Sequence, residues 1–147
     1  MLRIYLDNCC FNRPFDDQSQ IKIHLESTAK LYIQKLIKDG VYDLVWSYML
    51  DFENGNNPYE DKRNAIQIWK DIAVFNCKSS QEIFEQGKEY EKLNIAPKDA
   101  LHIACAVHSN CDYFITTDIP LLRKHIEEIR IITPIDFIGE MEAKNED

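Results

Sequence analysis

Asp7 closes the apolar run Leu2-Arg3-Ile4-Tyr5-Leu6, and Asp118 closes a second, Tyr113-Phe114-Ile115-Thr116-Thr117. Each run reads as a short strand, so each delivers a carboxylate at a strand's C-terminal end. In open α/β sheets that edge is where ligands bind. Asp99 follows Pro97 in the first turn of an apolar segment, where a helix N-terminus favours negative charge. Glu53 lies beyond Ser47, toward the end of the segment after a further strand. In a parallel sheet these four acids fall on one edge. Four convergent carboxylates repel one another, and burial makes each charge costlier. Divalent cations resolve the conflict, because Mg²⁺ and Mn²⁺ prefer oxygen ligands and often work on phosphate groups. Two ions about 4 Å apart can activate water and stabilise the leaving oxygen of a phosphodiester.

Each acid also has a plain structural reading. Asp7 fits a turn residue, Asp99 a helix N-terminal charge, and Asp118 an anchor for the helix opened by Pro120. Glu53 fits a solvated helix residue, with Asp51 or Glu60 as substitutes. Taken together, the order of the acids and the elements that carry them favour the metal reading.

The elements that must position these acids are legible in the pattern. Residues 2–7 read as a buried strand and 8–19 as a polar loop. A long helix follows over about 20–39, with Leu25, Ala29, Tyr32, Ile33 and Leu36 on one face and Gly40 as its stop. Val41 to Trp46 form a second strand, and Ser47 caps a helix. Asn54-Gly55-Asn56-Asn57-Pro58 breaks the chain. The next helix, about 59–73, turns Ala65, Ile68, Trp69, Ile72 and Ala73 inward, and 74–77 is a short strand. Ser79 with Glu82 has the capping-box spacing for a helix reaching about Leu93. Pro97 opens a helix over 97–108 that is apolar nearly all round and therefore buried. A strand at 112–117, a short helix from Pro120, a strand at 130–132 and a helix from Pro134 complete the chain. Short apolar strands alternating with helices mean α/β with a parallel sheet. The expected organisation is a single domain over 1–139 and a fraying acidic tail over 140–147. Tyr32, Trp46, Trp69 and Phe84 read as core aromatics, whereas Phe11 and Tyr59 are candidates for stacking on bases.

Composition bounds the rest. The 147 residues suit one domain, and the formal net charge of −8 disfavours broad non-specific nucleic-acid binding while suiting a basic protein partner. No apolar stretch is long enough for a membrane span, and a strand starting at Leu2 leaves no room for a signal peptide, so a cytoplasmic location is expected. Five cysteines with no C-x-x-C spacing argue against both a disulfide framework and a zinc site.

Three segments then carry a resemblance: Ile4-Tyr5-Leu6-Asp7-Asn8, Lys98-Asp99-Ala100-Leu101-His102-Ile103-Ala104 and Asp112-Tyr113-Phe114-Ile115-Thr116-Thr117-Asp118. With them the sequence resembles a PIN-domain protein of the small VapC-like kind. The resemblance implies a Rossmann-like α/β/α three-layer sandwich around a mostly parallel sheet of about five strands. It also implies a ribonuclease dependent on Mg²⁺ or Mn²⁺, in one form the toxin of a toxin–antitoxin pair. Asp7, Asp99 and Asp118 match the metal-binding acids, and Glu53 matches the first glutamate by its place after the second strand. Thr116 matches the hydroxyl residue before the last acid, and Asn8 adjoins the first acid. The partners implied are RNA, a basic antitoxin protein and a second copy of the chain.

The sequence departs from the family pattern in the long polar segment Asn8 to Pro14 and in Asn54 to Glu60. Around the acids, Arg13, Arg123 and Lys124 are candidates to hold phosphates. His102 shares a helix face with Asp99 and reads as a packed residue making a structural hydrogen bond, with an outer role at the site as the alternative. Asp112 is expected to tie down the start of its strand. Two rival readings remain: an inert PIN-fold module that binds protein or RNA, and a structure-specific DNA nuclease. A haloacid-dehalogenase-type phosphotransferase needs a second Asp where this chain has Cys9.

Overall fold

The computed structural model describes residues 1–11 and 21–145, so Arg13 lies outside the described residues. Five strands, β1 (Arg3–Leu6), β2 (Asp43–Ser47), β3 (Phe75–Cys77), β4 (Tyr113–Ile115) and β5 (Arg130–Ile132), form one sheet in the order β3-β2-β1-β4-β5. Every strand pair is parallel. The chain builds outward from β1 to one side, then returns to β1's other side with β4. The strand order therefore reverses between β1 and β4, the crevice where open α/β sheets place ligands.

Among the described residues seven α-helices join the strands: α1 (Ile21–Lys38), α2 (Tyr48–Gly55), α3 (Glu60–Ile72), α4 (Gln81–Glu91), α5 (Pro97–His108), α6 (Ile119–Leu122) and α7 (Pro134–Asn145). Side chains alternate across a sheet, and the contacts assign the faces. Tyr5 and Phe114, paired in register, stack at 5.2 Å, and Tyr5 meets His102 of α5. Tyr113, one residue earlier, packs instead against Phe137 of α7. Hence α5 and α7 cover opposite faces, and the expected three-layer sandwich is the observed fold. Burial of Ile4, Tyr5, Leu6, Leu44, Val45, Trp46, Phe114 and Ile115 makes the three inner strands the centre of the core.

The helix ends follow local chemistry. Gly40 has φ +76, and the pair Gly40 N–H to Ile37 O and Val41 N–H to Leu36 O forms the predicted stop of α1. Asn110, at φ 60, stops α5 in the same way, with bonds from Asn110 to Val107 and from Cys111 to Ala106. Asp112 ties β4 to β1 as expected, since its carboxylate accepts the Arg3 N–H at 2.9 Å.

Several expectations change. Ser80, not Ser79, caps α4, accepting the Ile83 N–H. Part of the polar loop after Asp7 is a 3₁₀ turn, Asn8–Cys10. The buried stripe of α1 is Ala29, Ile33 and Ile37, which leaves Leu25 and Tyr32 outward. In α3, Ile66 and Trp69 face the core, while Ala65 and Ile68 are exposed. Both helices carry more apolar residues than the sheet can cover, so composition alone misplaces the stripe. Phe84 is also exposed. The tail expected to fray from Glu140 is helical to Asn145, because Arg130 pairs with Glu140 and Tyr113 donates to it at 3.2 Å.

Candidate metal centre

Asp7 stands one residue past β1 with its backbone N–H bonded to Ile115 O of β4. Its two carboxylate oxygens are held separately. Oδ1 accepts the Asn8 N–H at 2.8 Å, and Oδ2 accepts the Thr116 hydroxyl at 2.7 Å. The turn role is thus observed, and the second oxygen is tied to Thr116. Burial pushes the Asp7 carboxyl up, against the lowering effects of His102 and the Thr116 bond.

Thr116 links the two strand-end acids. Its hydroxyl oxygen, which donates to Asp7, also accepts the Asp118 N–H at 3.1 Å. Asp118 in turn caps α6, accepting the Leu121 N–H at 3.4 Å. Thr116 is fully buried, so this link is shielded from solvent.

Glu53 arrives on α2, which begins because Ser47 Oγ accepts the Leu50 N–H at 3.2 Å. Its Oε1 lies 2.6 Å from His102 Nε2. Burial raises the Glu53 carboxyl, but the bond and charge of His102, with help from Lys98, outweigh this and hold it below its ordinary value. The proposed substitutes lie elsewhere. Asp51 accepts from Trp46 Nε1 and Lys70 Nζ, and Glu60 is exposed at the start of α3.

Asp99 sits half-buried in the first turn of α5. Burial raises its carboxyl first, then the negative charges of Asp7 and Asp118, with Glu53 adding less. Asp99 is thus within electrostatic reach of the other three acids of the sequence reading. Within the group, ligand atoms of Asp7, Glu53 and His102 all lie within 4.8 Å of one another.

The donor set fits a hard divalent cation. It is rich in carboxylate oxygen, and the charges of neighbouring acids oppose ionisation of Asp7 and Asp99, which a cation would relieve. Asn8 Oδ1 beside Asp7 is buried without a hydrogen-bond partner, a further oxygen short of a positive group. Asp7, Glu53, Asp99 and Asp118 are the residues that would hold the ion.

The flanking candidates separate. Lys124 is half-buried and lines, with Asp99, Asn94, Ile95, Ala96, Pro120 and Leu121, a small pocket of about 160 Å³. Arg123 ends α6 as an exposed residue. Phe11 is not available for stacking on bases, because it is buried between Trp46 at 5.5 Å and Trp69 at 6.0 Å. Tyr59 is exposed, with Lys62 Nζ 4.6 Å from its ring centroid. Lys98, given no role of its own by the sequence reading, lies over Phe52 at 5.3 Å and lowers Glu53. Its only signal was adjacency to Asp99. His102 is 1% exposed and hydrogen-bonded, as its packing role predicts, but one partner is Glu53.

Neither the family models nor the curated proteins compared with the chain gave a match. Solved structures do. The chain is similar to VapBC2 from Rickettsia felis, bound to a DNA fragment from their promoter, at a TM-score of 0.58 and 12% identity over 90% of this chain and 98% of that one. It is also similar to FitAcB from Neisseria gonorrhoeae, at a TM-score of 0.50 and 15% identity, again over 90% of this chain and 98% of that one. At such identities the likeness establishes the fold: a PIN-like α/β/α sandwich. No helix among the described residues is long and apolar enough to cross a membrane.

Proposed function

We propose that this chain is a divalent-metal-dependent nuclease that hydrolyses RNA phosphodiester bonds. The observation that carries the reading is the cluster of Asp7, Glu53 and His102 beside the sheet's switch point, with the charge of nearby Asp99 opposed by Asp7 and Asp118. Mg²⁺ or Mn²⁺ bound there would supply Lewis acidity and lower the pKa of water. The chain's own residues do the rest. Thr116 fixes the orientation of Asp7, and Asn8 holds its other oxygen. Asp118 is set by the cap of α6. Lys124 lines the pocket beside Asp99, where a substrate phosphate gains a cation, and Arg123 lies one residue away.

The partner supported best is a basic antitoxin protein. The chain's net charge of −8 suits a basic partner, and the VapBC2 and FitAcB structures share the fold. A homodimer and a role as a toxin belong to the same reading.

The test is a cleavage assay on structured and unstructured RNA with Mg²⁺, Mn²⁺ or a chelator. Cleavage should require the ion and fall by orders of magnitude in Asp7→Asn and Asp99→Asn. Full cleavage by both variants would sink the mechanism. Cleavage of branched DNA but not RNA would favour the DNA nuclease. Absence of Mn²⁺ binding by the wild type in calorimetry would favour an inert binding module.

A further inference from the structure

We propose that His102 is a positioning residue that fixes Glu53 through a hydrogen-bond chain starting at Ser47, and is not itself an ion ligand. The proposal rests on the metal-site reading above and names how one of its acids is held.

The geometry is a continuous line of short contacts through the core. The Tyr5 hydroxyl lies 2.6 Å from Ser47 Oγ and 2.6 Å from His102 Nδ1. On the ring's far side, Nε2 lies 2.6 Å from Glu53 Oε1. Ser47 Oγ also accepts the Leu50 N–H that starts α2. Tyr5 and Ser47 are fully buried, and His102 is 1% exposed. No water is needed to complete the chain.

Counting donors fixes its direction. An ionised carboxylate only accepts, so His102 Nε2 must carry a proton toward Glu53. In the neutral ring Nδ1 is then an acceptor and takes the Tyr5 hydroxyl proton. The Tyr5 oxygen accepts from Ser47 Oγ–H, and the Ser47 oxygen still accepts from Leu50. Every group is satisfied. In the charged ring, Nδ1–H donates to Tyr5 and Tyr5 donates to Ser47, while the Nε2–H bond to Glu53 is unchanged. Burial keeps the Tyr5 hydroxyl protonated in either case.

Two consequences follow. The Nε2 lone pair is occupied by a proton in both forms, so His102 cannot take up a cation there although it sits with Asp7 and Glu53. The chain also ties four elements together: β2 through Ser47, β1 through Tyr5, α5 through His102 and α2 through Glu53. A glutamate side chain has rotamer freedom to lose, and this chain removes it before the ion arrives. Partners that orient ligating groups in this way are worth 10–100-fold in metal affinity or activity.

The test uses the full chain, Mn²⁺ calorimetry and ¹⁵N spectra of the histidine rings. His102→Leu should weaken Mn²⁺ binding about 10–100-fold. His102→Gln, whose amide can donate from near the Nε2 position, should recover most of it. Tyr5→Phe should weaken binding less, because the Nε2–H donor remains. In the wild type, Nε2 should carry its proton both without metal and with Mg²⁺. Three results overturn the proposal while leaving the metal site standing: His102→Gln folded but as weak as His102→Leu, Nε2 losing its proton when Mg²⁺ is added, or a neutral ring protonated on Nδ1. Wild-type protein that binds no divalent ion overturns both readings. The ring spectrum needs no variant, so a misfolded substitution does not decide the matter.

Discussion

Asp99 carries a charge that its surroundings oppose, and this has a measurable sign. Its carboxyl is raised by burial and by neighbouring acids. A group raised in the folded state contributes stability while protonated, and loses that contribution as pH rises through its folded value. In chelator at pH 7, Asp99→Asn should therefore raise the melting temperature, by about 1–3 °C for a chain of this length. The gain should shrink as pH falls through the raised folded value and vanish below about 4, the ordinary aspartate range. Glu53 has the opposite sign: its lowered carboxyl adds stability above the ordinary glutamate range and loses it as pH falls through the folded value. A lower melting temperature for Asp99→Asn at pH 7 would contradict the repulsion argument. Cys9 offers a second check. The Cys10 thiol beside it, at 3.9 Å, lowers Cys9 to about 7 against the effects of burial and Asp7, while Cys10 itself is raised. Iodoacetamide labelling read by peptide mass should rise at Cys9 through pH about 7 and leave buried Cys10 unlabelled.

At the scale of elements, α2 and α5 deliver Glu53, Asp99 and His102, and each depends on one small residue. Ser47→Ala removes the cap of α2 and a partner of the buried Tyr5 hydroxyl, so unfolding free energy should drop by about 1–2 kcal/mol in urea. Gly87 lets α4 approach α5: a Cβ there would meet Leu101 Cδ2 at 3.0 Å. Gly87→Val should cost about 1–3 kcal/mol by overpacking, with an unchanged urea midpoint as the contrary result. Most of this architecture was readable beforehand. Pro97, Gly40 and Ser47 mark boundaries because their backbone and capping chemistry is local. Strand ends at Asp7 and Asp118 were visible because short apolar runs stop there. The faces of α1 and α3 were not, since Leu25 and Ile68 are as apolar as the residues that won the core, and only the sheet's position decides between them. His102's partner was hidden for a related reason. Glu53 and Tyr5 are distant in sequence, and only the strand order brings them to one ring.

Over the whole molecule, a net charge of −8 is added to a site that concentrates negative charge. A divalent ion binding only the folded chain should stabilise it by about 2.7 kcal/mol at a hundredfold excess over Kd. Thermal melts with Mn²⁺ and with chelator measure this, and coincident melts would contradict an ion site. Association with a basic protein should slow as salt rises, since complementary charge acts on encounter and is screened within about 10 Å at 0.1 M salt. The strand order has a further consequence during synthesis. As the chain leaves the ribosome, β1, β2 and β3 precede β4, so Ile4, Tyr5 and Leu6 wait as an uncovered sheet edge. Such edges recruit strands from other chains. The segment that covers this edge is the one that brings Thr116 and Asp118 to Asp7. Protection from aggregation and completion of the acidic cluster are thus a single docking event, and a nascent chain that stalls before β4 has neither.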